Sequence, residues 1–467
     1  MYYISKNFFY RNSILTAFSL FFYAWGEPVW IILLLFSAFV DWINALIIEK
    51  YRGTKWAKWG LVSSAIVNLG LLAIFKYSGF FYENINAVFG LHLKVPEFSL
   101  PIGISFYSFH ALSYTIDVYR GEVKAQKSYW NFLMCVSMYH QLVAGPIVRY
   151  AHIAHEIEHR KFNIADISAG VNRFCIGLFK KVCIANVAGD LVTVFFGDTD
   201  PGTTILPADV SQLTLAEGWF AIILYSIQIY FDFSGYSDMA IGLGRMYGFH
   251  YRENFIYPYI SKSATEFWRR WHISLGSFFR DYLYIPLGGN KYKPYRNLFI
   301  VWLLTGFWHG ASWNFIIWGL YFGFLILIER LFLQKILDAI PAVFAHIYLL
   351  FAAVIGWAIF YFEDSLSRLG DLFKVLFGMG EKGTSNDLFW QTLRENSYWL
   401  LLALFLCMPV YTFVMRRIKR QLVVSPYRMS LGVGLSFAII AFNLFLLYLA
   451  TAMLVEGSYN PFIYYRF

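Results

Sequence analysis

One histidine, His309, stands in the middle of the apolar stretch LLTGFWHGASWNFIIWGLYFG (303–323), between two tryptophans and beside a glycine. Ionisable side chains inside a membrane are rare and by default mark functional sites. A buried imidazole with its proton affinity held near or below neutral can take the proton of a hydroxyl. The plainer reading is a neutral ring hydrogen-bonded to a neighbouring helix. A second histidine, His272, lies in FWRRWHISLGSFFRDYLYIPLGGN, beside Trp268, Arg269, Arg270 and Trp271. That mixture suits an amphipathic segment at the cytoplasmic interface. It suits equally a cluster that grips the phosphates of an anionic ligand.

Three further groups compete for attention. AHIAHEIEHRKF (151–162) holds HEIEH, a literal match to the HExxH zinc signature, which on a helix would set His155 and His159 on one face with Glu156 as base. It runs into RKF in a polar loop and no third ligand presents itself, so a solvated helix face and no metal are expected. IYFDFSGYSDMAIG (229–242) carries Asp232 and Asp238 among small residues that permit close helix approach, and the pair reads as structural, with a basic neighbour. The terminal FIYYRF is either an interfacial aromatic anchor or a tyrosine that bends back to a central cavity as a hydroxyl acceptor.

The elements that must position these residues are membrane helices. The 467-residue chain is 58% hydrophobic and 14% charged, against about 45–50% and about 25% in soluble proteins. Apolar runs such as VWIILLLFSAFV and YWLLLALFLCMPV recur from end to end, the mark of an all-α polytopic membrane protein. Cys135, Cys175, Cys183 and Cys407 lie in or beside such runs without CxxC spacing, as buried free thiols would. The N-terminus shows no short apolar core with a small-residue cleavage site, so no cleavable leader is expected.

Charge sets the topology, which makes nucleic acid an unneeded explanation for the net +9. Nine Lys or Arg fall between Arg245 and Arg296 against Glu253, Glu266 and Asp281, and EKYRGTKWAK (49–58) and RRIKRQ (416–421) are also basic. GDTDPGTTILPADVSQ (197–212) has three aspartates and no basic residue. Basic loops belong in the cytoplasm and the acidic loop outside. Crossings near 12–25, 28–48, 60–76, 99–117, 168–195, 214–234, 344–362, 398–415 and 430–452 then carry the C-terminus outside. Two apolar segments, 129–148 and 298–330, have cytoplasmic flanks on both sides and must enter and return. Two full crossings need roughly 40 residues, so 298–330 is expected to be a broken hairpin turning at TGFWHGASWN, with Gly306 and Gly310 loosening the backbone. Irregular backbone at that depth must be buried in protein or line a cavity. No internal repeat or flexible linker divides the chain.

RENFIYPYISKSATEFWRRWHISLGSFFRDYLYIPLGGN followed by TGFWHGASWNFIIWG resembles the membrane-bound O-acyltransferases. LPIGISFYSFHALSYTIDVYRG (100–121), HQLVAGPIVR (140–149) and YFDFSGYSDMAIGLG (230–244) extend the likeness, in order, toward the bacterial alginate O-acetyltransferase branch. The resemblance implies one membrane domain over 1–467, a helical bundle around a central tunnel with re-entrant segments. Its catalytic block would span about 228–330 and its extracytoplasmic tail 456–467. It places the catalytic base at His309 and a second histidine, His272, on the donor side. Acetyl-CoA would be the donor, with no resident cofactor, and on electrostatic grounds Arg269, Arg270 and Arg280 would hold its phosphates. FIYYRF resembles the aromatic-x-Tyr-x-x-Phe tail of this branch, making Tyr464 a candidate acyl acceptor. The expected partners are an extracytoplasmic esterase-like (SGNH-type) protein, a polysaccharide acceptor such as alginate, and membrane lipid, in a bacterial inner membrane. D-alanyl transfer to teichoic acid, peptidoglycan O-acetylation and transport of a lipid-linked sugar are the alternatives. Such relatives usually begin with a further apolar helix; here MYYISKNFF precedes the matching stretch, and the inside placement of the N-terminus depends on that difference.

Overall fold

A computed structural model describes residues 1–96, 98–197, 207–362, 365–424, 428–456 and 462. Among these residues all regular structure is helical. The first group comprises α1 (Phe8–Gly26), α2 (Ile31–Lys50), α3 (Lys55–Leu72), α4 (Ser78–Phe89), α5 (Ile104–Arg120), α6 (Tyr129–Ser137), α7 (Tyr139–Leu142) and α8 (Tyr150–His159). A middle group follows: α9 (Ile164–Phe179), α10 (Val187–Phe196), α11 (Leu215–Met246), α12 (Ala264–Arg270), α13 (Ile273–Phe279), α14 (Pro294–His309) and α15 (Trp313–Ile328). The last comprises α16 (Gln334–Ala339), α17 (Ala342–Tyr361), α18 (Leu366–Leu376), α19 (Asp387–Glu395), α20 (Ser397–Leu406), α21 (Val410–Val424) and α22 (Arg428–Glu456). Wider π-turns join several of them, at Ala73–Tyr77, Lys180–Asn186, Arg280–Tyr284 and Glu329–Leu333.

Among the described residues five helical stretches are long and apolar enough to span a bilayer, and a sixth if α20 and the start of α21 count as one span bent by 62°. The bend falls at Cys407–Pro409, where proline cannot donate to the ladder. The segment 398–415, expected as a plain crossing, is therefore broken. The segment 129–148 is broken too, into α6, α7 and an irregular stretch up to Arg149, as a segment that enters and returns requires.

The centre of the molecule is the packing of α11 along α9 and its π-turn continuation. Two glycines on each helix make it possible. A Cβ on Gly177 would lie 2.6 Å from the Gly235 carbonyl oxygen, and one on Gly170 would lie 2.6 Å from that of Gly242. Facing pairs seven residues apart on antiparallel helices bring the backbones together without side chains between them, which is how helices associate where apolar solvent supplies no hydrophobic drive. The charges on this seam are balanced: Lys181 pairs with Asp232 at 2.5 Å, while Arg173 at 2.8 Å and Lys180 at 2.6 Å hold Asp238. Arg173 also holds Glu253. The two aspartates are thus the structural, cation-neutralised groups that their setting suggested. In the first group, fully buried Asp41 of α2 is met by Ser64 at 2.5 Å and Asn68 at 2.8 Å from α3, and Ser64 reaches Thr115 of α5 at 2.9 Å.

α14 and α15 form a hairpin with its break at Gly310–Ser312, but its second arm does not end at 330 as expected: α15 continues through the π-turn into α16, and Trp313–Ala339 is long and apolar enough to span a bilayer. At 1.5 Å per residue the 16 residues of α14 extend about 24 Å, short of a hydrocarbon core of about 30 Å. Contrary to expectation, Gly306 does not loosen the chain; it lies inside α14 as regular helix. Its missing side chain is what admits α15, since a Cβ there would lie 2.3 Å from the Phe315 carbonyl oxygen, and one on Gly319 2.3 Å from that of Trp302. Ser312 starts α15 by accepting the Asn314 N–H at 3.2 Å.

Candidate active site

His309 is the last residue of α14, 4% exposed, at the closed end of the hairpin. Its ring stands edge-on to Trp318 of α15 at 4.8 Å, to Phe360 of α17 at 5.3 Å and to its neighbour Trp308 at 5.0 Å. A helix ending here leaves its last carbonyls unpaired in an apolar interior. The π-turn after α3 answers that need. Lys76 Nζ donates to the carbonyl oxygens of Trp308 at 2.8 Å and His309 at 3.1 Å, and reaches Ser105 Oγ at 3.4 Å. The Tyr77 hydroxyl donates to the Phe307 carbonyl at 2.8 Å while its ring stacks on Phe307 at 4.1 Å. An ammonium at a helix C-terminus also complements the macrodipole. Beside this cap lies a cavity of about 60 Å³, lined by Lys76, the 100–106 segment, Val143, Trp308 and His309.

The second histidine is also buried. His272 is 1% exposed, so the segment expected at the interface turns inward: Phe267, Trp271 and His272 enter the core while Arg269 stays exposed. Phe233 of α11 lies edge-on to the His272 ring at 4.6 Å, and Trp308 stands 6.2 Å away. Trp308 is therefore a shared wall between His272 and His309. His272 Nδ1 contacts Asn254 Oδ1 at 3.2 Å.

The remaining expected residues separate into near and far. Arg270 bonds Glu266 at 3.0 Å, and Arg280 bonds Asp281 at 2.6 Å, which Arg149 also holds at 2.8 Å. Arg269 is exposed. Tyr464 lies outside the described residues. Phe462, two positions earlier in the chain, is buried and packs against Phe233 at 6.0 Å and Tyr236 at 4.8 Å, in the cluster that includes Trp308. HEIEH lies far from a ligand set: exposed His155 and His159 stack at 5.1 Å, and Glu156 accepts from His250 at 2.8 Å. Among the described residues no three His, Cys, Asp or Glu side chains converge. The four cysteines are buried free thiols, as expected.

Lys76, Tyr77 and Asn254 are the site residues that sequence reasoning missed. Lys76 carried a usable signal, a lone cation in the apolar run LLAIFKYSGF, the criterion that singled out His309. Asn254, in the loop RENFIYPY, carried none.

Fold and site together define a polytopic helical membrane protein that holds a buried imidazole at the tip of a broken hairpin. Residues 106–367 match the model of the membrane-bound O-acyltransferase family, MBOAT. The chain is 39% identical over 424 residues to the probable alginate O-acetylase of Azotobacter vinelandii, covering 88% of this chain and 81% of that one. It is 36% identical to the probable alginate O-acetylase of Pseudomonas putida, covering 100% of this chain and 96% of the relative. It is 34% identical to the peptidoglycan O-acetyltransferase of Helicobacter pylori, over 82% and 76%. The chain belongs to the membrane-bound O-acyltransferase family.

Proposed function

We propose that this protein takes acetyl groups from cytoplasmic acetyl-CoA and delivers them across the membrane for O-acetylation of a secreted or cell-surface polysaccharide, alginate being the first candidate. The observation that carries the reading is the convergence on Trp308. His309, His272 and the terminal-tail residue Phe462 come from three distant parts of the chain and share its cluster of rings. A tail anchored there suits a tyrosine relay. Tyrosine is a weak nucleophile at its ordinary pKa of about 10, so a base must act with it. His309 takes the Tyr464 hydroxyl proton as the phenolic oxygen bonds the thioester carbonyl carbon; the C–S bond breaks, and the proton leaves with the sulfur as free CoA thiol. An extracytoplasmic SGNH-type partner would then move the acetyl group from Tyr464 to the polymer, so CoA need not cross.

The test is to incubate detergent-purified protein with acetyl-CoA and weigh its C-terminal peptide by mass spectrometry, with His309→Ala and Tyr464→Phe alongside. An acetyl adduct in the wild type and in neither variant is expected. CoA release without an adduct would refute the tyrosine relay, and no CoA release at all would refute the donor, pointing to the D-alanyl chemistry of a carrier protein.

A further inference from the structure

We infer that Asn254 is a positioning residue that decides which nitrogen of His272 carries the proton, leaving Nε2 as a proton acceptor inside the site. The catalytic use of that nitrogen rests on the acyl-transfer reading above, whereas the choice of nitrogen does not.

The choice follows from donors that have no alternative. Asn254 is fully buried. The Ser274 backbone N–H can only donate, and it lies 3.2 Å from the Asn254 side chain, so the atom facing it is the amide oxygen, Oδ1. The opposite end of the amide, Nδ2, donates to Ser237 Oγ of α11 at 3.0 Å. The Ser274 hydroxyl accepts the Ile147 N–H at 2.9 Å and gives its one proton to Oδ1 at 2.8 Å. His272 Nδ1 thus faces the same oxygen at 3.2 Å, and a proton on Nδ1 is the arrangement that sets no lone pair against another. The competing arrangement, with the Ser274 proton on Nδ1, is longer at 3.3 Å and would press two lone pairs together. A neutral imidazole with its proton on Nδ1 has its lone pair on Nε2. That Nε2 is buried without a hydrogen-bond partner among the described residues. Buried polar atoms are nearly always paired, so one left open calls for an explanation.

The backbone is held as firmly as the ring. His272 adopts φ 44°, a left-handed conformation few non-glycine residues take, and the next residue, Ile273, donates its N–H to the Asn254 carbonyl at 3.0 Å. Such geometry survives only where the surroundings over-determine it, and it gathers at functional sites. The rings packed on His272, those of Phe233, Phe255 and Trp308, carry no charge. The titratable group beside it is His309.

Two measurements on the full chain in lipid nanodiscs test the proposal. The first is ¹⁵N NMR of histidine-labelled protein, with the His272 signals identified by their loss in His272→Gln. Protonated Nδ1 and bare Nε2 are expected in the wild type, and a mixture of tautomers in Asn254→Leu or, should that variant not fold, in Ser237→Ala. Protonated Nε2 in the wild type would overturn the inference. The second is the pH–rate profile of acetyl transfer. Asn254→Asp keeps the acceptor but adds a charge that favours the imidazolium, so the acid limb of kcat/KM should move up by about 1–3 pH units. A lower rate with an unmoved limb would reduce Asn254 to packing and overturn its role. A wild type with no acetyl transfer would refute the proposed function, and the NMR result would still decide the tautomer.

Discussion

Lys76→Met is the substitution in which the cap on the helix that ends at His309 can be weighed. Methionine keeps most of the stem and removes the ammonium, so the carbonyls of Trp308 and His309 lose donors at 2.8 Å and 3.1 Å. Hydrogen bonds from a charged donor contribute about 1.5–3 kcal/mol each. Two of them bound the loss at about 3–6 kcal/mol if fully felt, and half-burial of Lys76 favours the lower end. The end of α14 cannot recover this from solvent, because Trp308 and His309 are buried. It relaxes instead by unwinding its last turn, and the His309 ring moves with it. Misplacement of a reacting group by about 1 Å costs on the order of 100-fold in rate. Lys76→Met should therefore lower the kcat of CoA release by about 100-fold, with KM nearly unchanged and a lower unfolding temperature. Lys76→Arg, which retains a charged donor, should recover part of the rate. The assay is thiol release from acetyl-CoA by protein in nanodiscs, paired with thermal unfolding followed by intrinsic fluorescence. A Lys76→Met enzyme with the wild-type rate would refute the claim that this cap positions His309.

Other outcomes follow from the packing and the charges. Gly319→Val places carbon where the Trp302 carbonyl oxygen lies 2.3 Å away, and backbone cannot yield as a side chain can. It should cost well over the typical 1–3 kcal/mol of overpacking and appear as loss of the monodisperse peak in detergent gel filtration. Asp232→Asn removes the carboxylate that pairs with Lys181 at 2.5 Å. Breaking such a buried pair from one side costs about 3–5 kcal/mol, whereas the double change with Lys181→Met should recover most of it, as a double-mutant cycle on unfolding would show. On the aqueous side, the Arg245 guanidinium holds the Asp166 carboxyl below its ordinary range. A depressed carboxyl contributes stability above its unfolded pKa of about 3.9 and loses it as pH falls through the lower folded value. Asp166→Asn should therefore lower the plateau of unfolding temperature at neutral pH and leave the acid end nearly unchanged, so that the acid-side fall becomes shallower.

Much of this molecule is legible from local sequence because a bilayer imposes local rules. A run of apolar residues must be helix, a charge within it must be paired or functional, and 33 residues between like-sided flanks (298–330) are too few for two crossings. Those rules alone identify the membrane class, single out His309, place the break of the hairpin and mark Asp232 and Asp238 as neutralised, but they end the second arm of the hairpin short of Ala339, where the structure carries it. They say nothing about which cation lies beside which carbonyl. Lys76 and His309 are 233 positions apart, and only the packing of the α3 π-turn against the tip of α14 brings them together. The same holds for His272. Its neighbours Trp268, Arg269, Arg270 and Trp271 read as an interfacial belt, but a left-handed turn at residue 272 sends the imidazole inward to Asn254 and Trp308. Gly306 shows the difference most directly. In sequence a glycine signals a loose backbone, whereas in the structure it marks where a second helix presses closest. Composition and spacing report what a segment can bury; which atoms meet once it is buried is decided by the shapes of all the segments together.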